Sequence, residues 1–202
     1  MRYIKDKLEN TIEIKKSKFI THIYRVDDLD EINIILSDIK KRYYDASHNC
    51  YAYILGDNME IQKASDDGEP QKTAGFPMLE ALKKYDVTNI LAITTRYFGG
   101  TLLGASGLIH AYSESVHEAL KNALYYKKEF LKEYLINTDY KGYNQLIKME
   151  YVNILDQNFL DNVILRCGIK LTDYDRFKKD LISYKLDLDI KEIGNLQIEI
   201  PE

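Results

Sequence analysis

The middle of the chain restricts the fold most. An almost wholly apolar segment, Asn89 to Thr95, leads by way of Arg96 into a stretch from Tyr97 to Ser113 that holds no Asp, Glu, Lys or Arg. A short apolar run of this kind reads as a strand covered on both faces. Gly99, Gly100, Gly104 and Gly107 follow it, so the chain turns in a loop before its next element. From about Gly107 to Leu124, Leu108, Tyr112, Val116, Ala119 and Ala123 recur at helical steps as a buried stripe. The uncharged stretch is too short and too rich in glycine to span a membrane. The first residues, Met1 to Lys7, lack the apolar centre of a signal peptide. The expectation is a cytoplasmic protein with no membrane partner.

Upstream, Lys18 to Val26 reads as a strand. Leu29, Ile32, Leu36, Ile39 and Tyr43 mark one face of a helix, capped by Asp28 with Glu31 three residues on. Asn49 to Leu55 and Glu60 to Ala64 read as strands, and Pro77 to Tyr85 as a short helix with Pro77 in its first turn. The unpatterned polar stretch Tyr125 to Lys128 suggests a boundary, giving domains 1–128 and 129–202. In the second, Phe130 to Asp139 is a strand, Tyr143 to Tyr151 a helix, and Val163 to Leu171 a half-buried strand. Thr172 and Asp175 resemble a capping box before a helix that buries Tyr174, Phe177, Leu181 and Tyr184, and Leu196, Ile198 and Ile200 alternate. The order β-α-β-β-α-β is the split βαβ, ferredoxin-like pattern.

Composition narrows function. There are 28 basic and 32 acidic residues, a net charge of −4, which counts against a non-specific nucleic-acid binder and makes DNA an unexpected partner. Two cysteines, Cys50 and Cys167, cannot build a disulfide framework or a four-cysteine zinc site, and they suit a reducing compartment. With 17 Tyr and 6 Phe the chain is not disordered.

Three segments can carry chemistry. In Arg96 to Gly107, Gly99 and Gly104 have P-loop spacing, but Ala105 stands where the lysine must be, so that motif fails. The glycines either permit a tight turn and close packing or also bind an anion or a partner. The run Ser65-Asp66-Asp67-Gly68-Glu69-Pro70 gathers three carboxylates. They can hold Mg²⁺ or act as acid and base, or form a solvated turn. His48 and Cys50 lie two apart on one strand face, too far for a thiolate–imidazolium pair, so Cys50 reads as core. No metal, cofactor or catalytic residue is assigned. Basic runs at Lys15-Lys16-Ser17-Lys18, Lys40-Lys41-Arg42 and Lys127-Lys128 are solvated faces by default; two brought together with Tyr43 and Tyr44 would make an RNA-binding face.

Five segments stand in the order and at the spacing of the IMPACT/YigZ family, which the chain resembles over nearly its whole length. They are Lys16-Ser17-Lys18-Phe19, Ala46 to Tyr53, Ser65 to Pro70, Thr73-Ala74-Gly75 and Arg96-Tyr97-Phe98-Gly99-Gly100. The resemblance implies an α+β protein. Its N-terminal α/β domain would be like the second domain of a small-subunit ribosomal protein. Its C-terminal ferredoxin-like domain would be like those of the translocating elongation factor. Eukaryotic relatives regulate translation by competing for an activator of the amino-acid-starvation kinase, through a different extra domain. Many members have a lysine at Leu102, an arginine at His110, a glycine at Ser106 and a basic residue at Phe76, so positive charge beside the loop is reduced here.

The expected binding surface is then His48, Asn49, Asp66, Asp67, Glu69, Thr73, Arg96 and Tyr97. The glycine loop, Gly99, Gly100, Thr101, Gly104, Ser106 and Gly107, adds a candidate anion site. The leading expectation is a non-catalytic regulatory protein linked to translation through RNA, the ribosome or a regulatory protein partner. The rivals are a hydrolase or transferase acting on a phosphorylated small molecule, and a protein–protein adaptor. The same acidic residues can instead accept hydrogen bonds from loop amides and from Arg96, needing no ligand.

Overall fold

The computed structural model describes residues 1–185 and 188–202. It is a mixed α/β protein with two sheets, and its internal contacts fall into two units, residues 1–127 with 201–202, and residues 128–200. The first unit contains β1 (Arg2–Tyr3), β2 (Leu8–Ile14), β3 (Ser17–Arg25), α1 (Leu29–Arg42), β4 (His48–Leu55), β5 (Ile61–Ser65), α2 (Gly75–Lys84), β6 (Ile90–Tyr97) and α3 (Gly104–Leu120).

Strand β6 lies at the centre of an antiparallel sheet ordered β2-β3-β6-β4-β5. Its residues from Ile90 to Arg96 are all buried. Successive strand side chains point to opposite faces. Ile90 and Ala92 join Met78 and Leu82 of α2 and Leu108, Tyr112 and Val116 of α3. Leu91 and Ile93 join Ile32 and Ile39 of α1. Both faces are covered, as the apolar run requires, although every neighbour is antiparallel. Each buried isoleucine, leucine, valine or methionine among them contributes about 1.5–3 kcal/mol by leaving water.

The start of α1 follows its capping signal. Asp28 Oδ1 accepts from the Glu31 amide at 2.8 Å, and Glu31 Oε2 accepts from the Asp27 amide at 3.0 Å. Leu29, expected on the apolar face, lies at the edge and is exposed. Helix α3 begins at Gly104 rather than Gly107 and ends at Leu120 rather than Leu124. Strand β2 was not expected; Leu8, Asn10, Ile12 and Ile14 are the half-buried positions of its alternating pattern.

The second unit is built from β7 (Tyr126–Thr138), α4 (Tyr140–Leu146), β8 (Val152–Phe159), β9 (Val163–Lys170), α5 (Tyr174–Ser183) and β10 (Leu188–Pro201). Its strands run in the order β10-β7-β9-β8. Tyr134, Ile136, Leu165, Cys167, Ile169 and Phe177 form its core. Three expectations are corrected. Helix α4 starts at Tyr140 rather than Tyr143, because Asp139 caps it through the Gly142 amide, and it ends at Leu146 rather than Tyr151. Thr172 and Asp175 make no capping box: residues 171–173 form a 3-10 turn, and Asp173 precedes α5 in helical rather than extended backbone. Tyr184 follows the end of α5 and is 48% exposed, not buried.

Candidate functional site

The acidic loop leaves β5 and folds back over β4. Its first two carboxylates are spent on the main chain. Asp66 Oδ1 accepts from the amides of Ala74 at 3.0 Å and Gly75 at 2.9 Å, and Oδ2 from Lys72 at 2.8 Å. Asp66 thus fixes the turn that starts α2. That helix has no side-chain cap of its own. Asp67 Oδ2 accepts from the Asn49 amide at 2.7 Å, and its Oδ1 lies 3.5 Å from Lys40 Nζ. Thr73 donates to the Pro70 carbonyl at 2.7 Å, which closes the loop. Charged acceptors on backbone amides are among the stronger hydrogen bonds, so the loop is held rigidly.

Glu69 is different. It is buried beside Arg96, whose NH1 lies 2.6 Å from Glu69 Oε1, with side chains only 3% and 7% exposed. Tyr112 of α3 donates to the same oxygen at 2.8 Å. Burial pushes the Tyr112 hydroxyl far above its usual range, so it stays a neutral donor. The Cys50 thiol, also pushed up by burial, lies 3.0 Å from the Asp66 carbonyl and 3.4 Å from the Tyr112 hydroxyl. Cys50 is therefore core, as expected. On its other side Arg96 reaches Ser17 Oγ at 3.4 Å, and Ser17 Oγ also accepts from the Gly99 amide at 3.1 Å. The guanidinium carbon lies 5.5 Å from the ring centroid of Phe19 and 5.6 Å from that of Phe98. This is a desolvated pair with aromatic cover, the setting in which a planar guanidinium is preferred to lysine.

His48 pairs across the sheet with Arg96 in register. Its Nδ1 lies 2.9 Å from the Asp67 carbonyl. A carbonyl only accepts, so Nδ1 carries the proton, and in the neutral ring Nε2 presents a lone pair. Nε2 lies 3.9 Å from Glu69 Oε1. Asn49 turns inward: Thr95 donates to its Oδ1 at 2.7 Å. Tyr97 points away and donates to Asp45 at 2.8 Å, a bond that raises its hydroxyl above the usual range.

The glycine loop shows both reasons for glycine. A Cβ on Gly99 would fall 2.0 Å from the Lys16 carbonyl carbon, so only glycine fits there. Gly104 opens α3 at φ +73° and faces open space. No side chain caps α3, so its first amides carry the partial positive charge of a helix N-terminus. Gly100 and Thr101 are exposed in the loop, Ser106 is exposed in the first turn of α3, and Gly107 there faces Leu103.

Between these parts is a cavity of about 510 Å³. Its polar lining comes from Ser47, His48, Glu69 and Arg96, and its apolar lining chiefly from Pro70, Phe98, Leu102, Leu103 and Leu108. Of the expected surface, only His48, Glu69, Arg96 and Gly104 line this cavity. Asn49, Asp66, Asp67, Thr73 and Tyr97 serve the scaffold around it. The sequence reading missed Tyr112 and Phe98. Tyr112 gave one signal: a tyrosine in a buried helical stripe needs a partner for its hydroxyl. Among the described residues, no group of three or more His, Cys, Asp or Glu is placed to hold a metal ion.

Comparison with known proteins places the chain among relatives. A family model described as the Impact N-terminal domain matches residues 15–120. The IMPACT family member YvyE of Bacillus subtilis is 37% identical over 96% of this chain and 92% of its own length. The IMPACT family member YigZ of Escherichia coli is 33% identical, over 85% of this chain and 87% of its own length. A crystal structure described as that of a hypothetical protein is 31% identical, with a TM-score of 0.61 over 96% of this chain and 97% of that one.

Proposed function

Since this chain belongs to the IMPACT family, we propose that it is a non-catalytic binding protein that regulates translation in the cytoplasm, with the cavity of its first unit as its working surface. The observation that carries this reading is how the acidic loop is used. Asp66 and Asp67 hold backbone amides, and Glu69 is neutralised by Arg96, so the carboxylates are built as scaffold rather than as base or metal cage. What remains accessible is a shaped cavity with a few convergent polar groups, the form of a recognition site. The half-exposed Phe98 and the exposed Leu102 at its rim suit contact with RNA or with a regulatory protein. The ribosome as the place of action is part of the same proposal, taken from what the family resemblance implies.

The finer fold assignments belong to the same proposal. We take residues 129–202 as a ferredoxin-like domain, supported by its β-α-β-β-α-β order and by the sheet order β10-β7-β9-β8. Residues 1–128 are taken as a domain like the second domain of a small-subunit ribosomal protein.

Co-sedimentation with ribosomes across a salt series tests the function. The useful variants are His48→Ala and Phe98→Ala, because neither unpairs the buried Arg96–Glu69 couple. Binding that weakens with salt and is lost in both variants is the expected result. Failure of the parent protein to pellet with ribosomes at low salt refutes direct ribosome contact. Binding unchanged in both variants removes the cavity from the reading.

A further inference from the structure

The floor of the cavity is the buried Arg96–Glu69 pair, and its donors are not all used. Arg96 NH1 goes to Glu69 and NH2 to Ser17. The Arg96 side chain is 7% exposed, and its Nε–H has no acceptor among the described residues. A buried donor without a partner is costly, so a ligand that brings an oxygen to this wall relieves the cost. The acceptors stand together on the NH1 side, where His48 Nε2 lies 3.9 Å from Glu69 Oε1. Arg96 cancels the Glu69 charge, so this carboxylate repels an anion less than a free one does.

A second set of donors faces the same cavity from another element. Gly104 and Ala105, the first residues of the 17-residue helix α3, line it. Leu103 stands at the cap position and no side chain caps the helix, so the first amides remain free for a ligand. Aligned helix amides attract negative charge and readily seat a phosphate. Gly104, at φ +73°, has nothing within 4 Å of the place a Cβ would take, so a ligand can approach the main chain. Ser47, also in the lining, accepts from the Phe98 amide at 3.3 Å and keeps its own proton to donate. Donors from three places in the chain suit a tetrahedral group with several oxygens better than a flat carboxylate. The rest of the lining, with half-exposed Phe98 and Leu102 at the rim and His48 beside them, leaves room for a flat organic body. The Lys15-Lys16 turn runs alongside, since Gly99 packs against the Lys16 main chain, and it offers charge to a backbone outside the cavity.

We propose that this cavity binds the phosphate group of a nucleotide, its oxygens taken by Arg96 Nε, the first amides of α3 and Ser47, and its base set against Phe98. This rests on the binding-protein reading of the same cavity and gives it a ligand class. Stacking on Phe98 is tolerant of the base, so the site reads phosphate rather than sequence. The nucleotide is either free or the phosphorylated end of an RNA strand, and the chemistry that recognises it is the same.

The test is a titration of the isotope-labelled full chain with AMP and, separately, adenosine, followed by backbone amide NMR shifts. Further arms use inorganic phosphate, benzoate and a short oligoadenylate with a 5′ phosphate. The expected result is shifts at Phe98, Gly104 and Ala105 with AMP, and binding of adenosine weaker by at least about tenfold, the low end for hydrogen bonds to a charged group. Ala105 is exposed, and Ala105→Asp sets a carboxylate in the first turn of α3, where it favours the helix. This variant is expected to keep its melting temperature while AMP binding weakens by about tenfold or more. Equal binding of AMP and adenosine, benzoate binding as tightly as AMP, absence of shifts at α3 with both AMP and inorganic phosphate, or AMP binding unaltered in Ala105→Asp overturns the proposal. Tighter binding of the oligoadenylate than of AMP supports the proposal with an RNA end as the source, and the reverse supports it with a free nucleotide. Ribosomes do not enter this experiment. AMP binding without ribosome pelleting therefore refutes the ribosomal reading and keeps the phosphate site, and the converse result does the opposite.

Discussion

Removing Glu69 offers the sharpest test of the site's architecture. In Glu69→Ala, Arg96 stays 7% exposed and keeps only the 3.4 Å contact with Ser17 Oγ, while the Tyr112 hydroxyl loses its acceptor. Breaking one side of a buried ion pair costs about 3–5 kcal/mol, because the remaining charge is left without water or partner. The stranded Tyr112 hydroxyl pushes the value to the upper end of that range. For a chain of this size each kcal/mol lowers the melting temperature by about 2–4 °C, so the expected drop is roughly 6–20 °C. Thermal unfolding by circular dichroism, with urea midpoints beside it, measures the change. The double variant Glu69→Met, Arg96→Met replaces the pair by apolar groups of similar length and is expected to recover most of the loss. A single-variant cost below about 1 kcal/mol would place the pair in the range of surface ion pairs and refute the argument that it is desolvated. So would a double variant as unstable as the sum of its two parts.

Other outcomes follow from the same geometry. His22 is fully buried, with Nε2 3.0 Å from the Tyr43 hydroxyl and Nδ1 3.2 Å from Glu9, and burial lowers its pKa below 6.5 despite the opposing pull of Glu9. The unfolded chain then binds the extra proton first, so stability rises with pH through the window below 6.5 and is lost on acidification. Urea midpoints between pH 7.5 and 5 should fall less steeply in His22→Asn, and an unchanged slope would exclude His22 as a source. Burial raises both thiols, Cys167 to about 12, so native protein at pH 8 should not react with a thiol reagent until it is unfolded. A thiol titrating in the native state would contradict that burial. Gly99→Ala would press a methyl group into the Lys16 backbone and is expected to cost about 1–3 kcal/mol in urea unfolding. A neutral result would mean that the loop yields where the structure shows it packed.

The parts of the fold that were legible in the sequence are those set by local patterns. The covered strand β6, the stripe of α3 and the Asp28–Glu31 cap each depend on residues within one element, so spacing alone reveals them. Strand β2 escaped because its apolar positions are diluted by Asn10 and by charged neighbours, and it is only half buried at the sheet edge. The ends of α4 and the entry to α5 were misplaced because Asp139 caps earlier and a 3-10 turn intervenes. The site was legible as a set of segments, not as an arrangement. Glu69 and Arg96 stand 27 residues apart, and only the sheet and the folded-back loop bring their atoms together.

This separation matters for what the polar residues do. A run of three carboxylates looks catalytic in a sequence because such runs supply bases and metal ligands. In the folded chain, the two that remain partly accessible are tied to amides, and the one most deeply buried is tied to an arginine. Scaffold use and ligand use compete for the same lone pairs. A carboxylate that already accepts two or three amide bonds has little left for a substrate. Recognition must then use the groups that face the cavity beside the Arg96–Glu69 pair, chiefly His48, Phe98 and Leu102. The same reasoning bears on Leu102 at the cavity rim, where the family resemblance implies a lysine in many members. It is 82% exposed, so the fold does not need it, and the fold would tolerate either residue. The exchange leaves the floor intact and alters only how much charge the rim offers to a backbone outside.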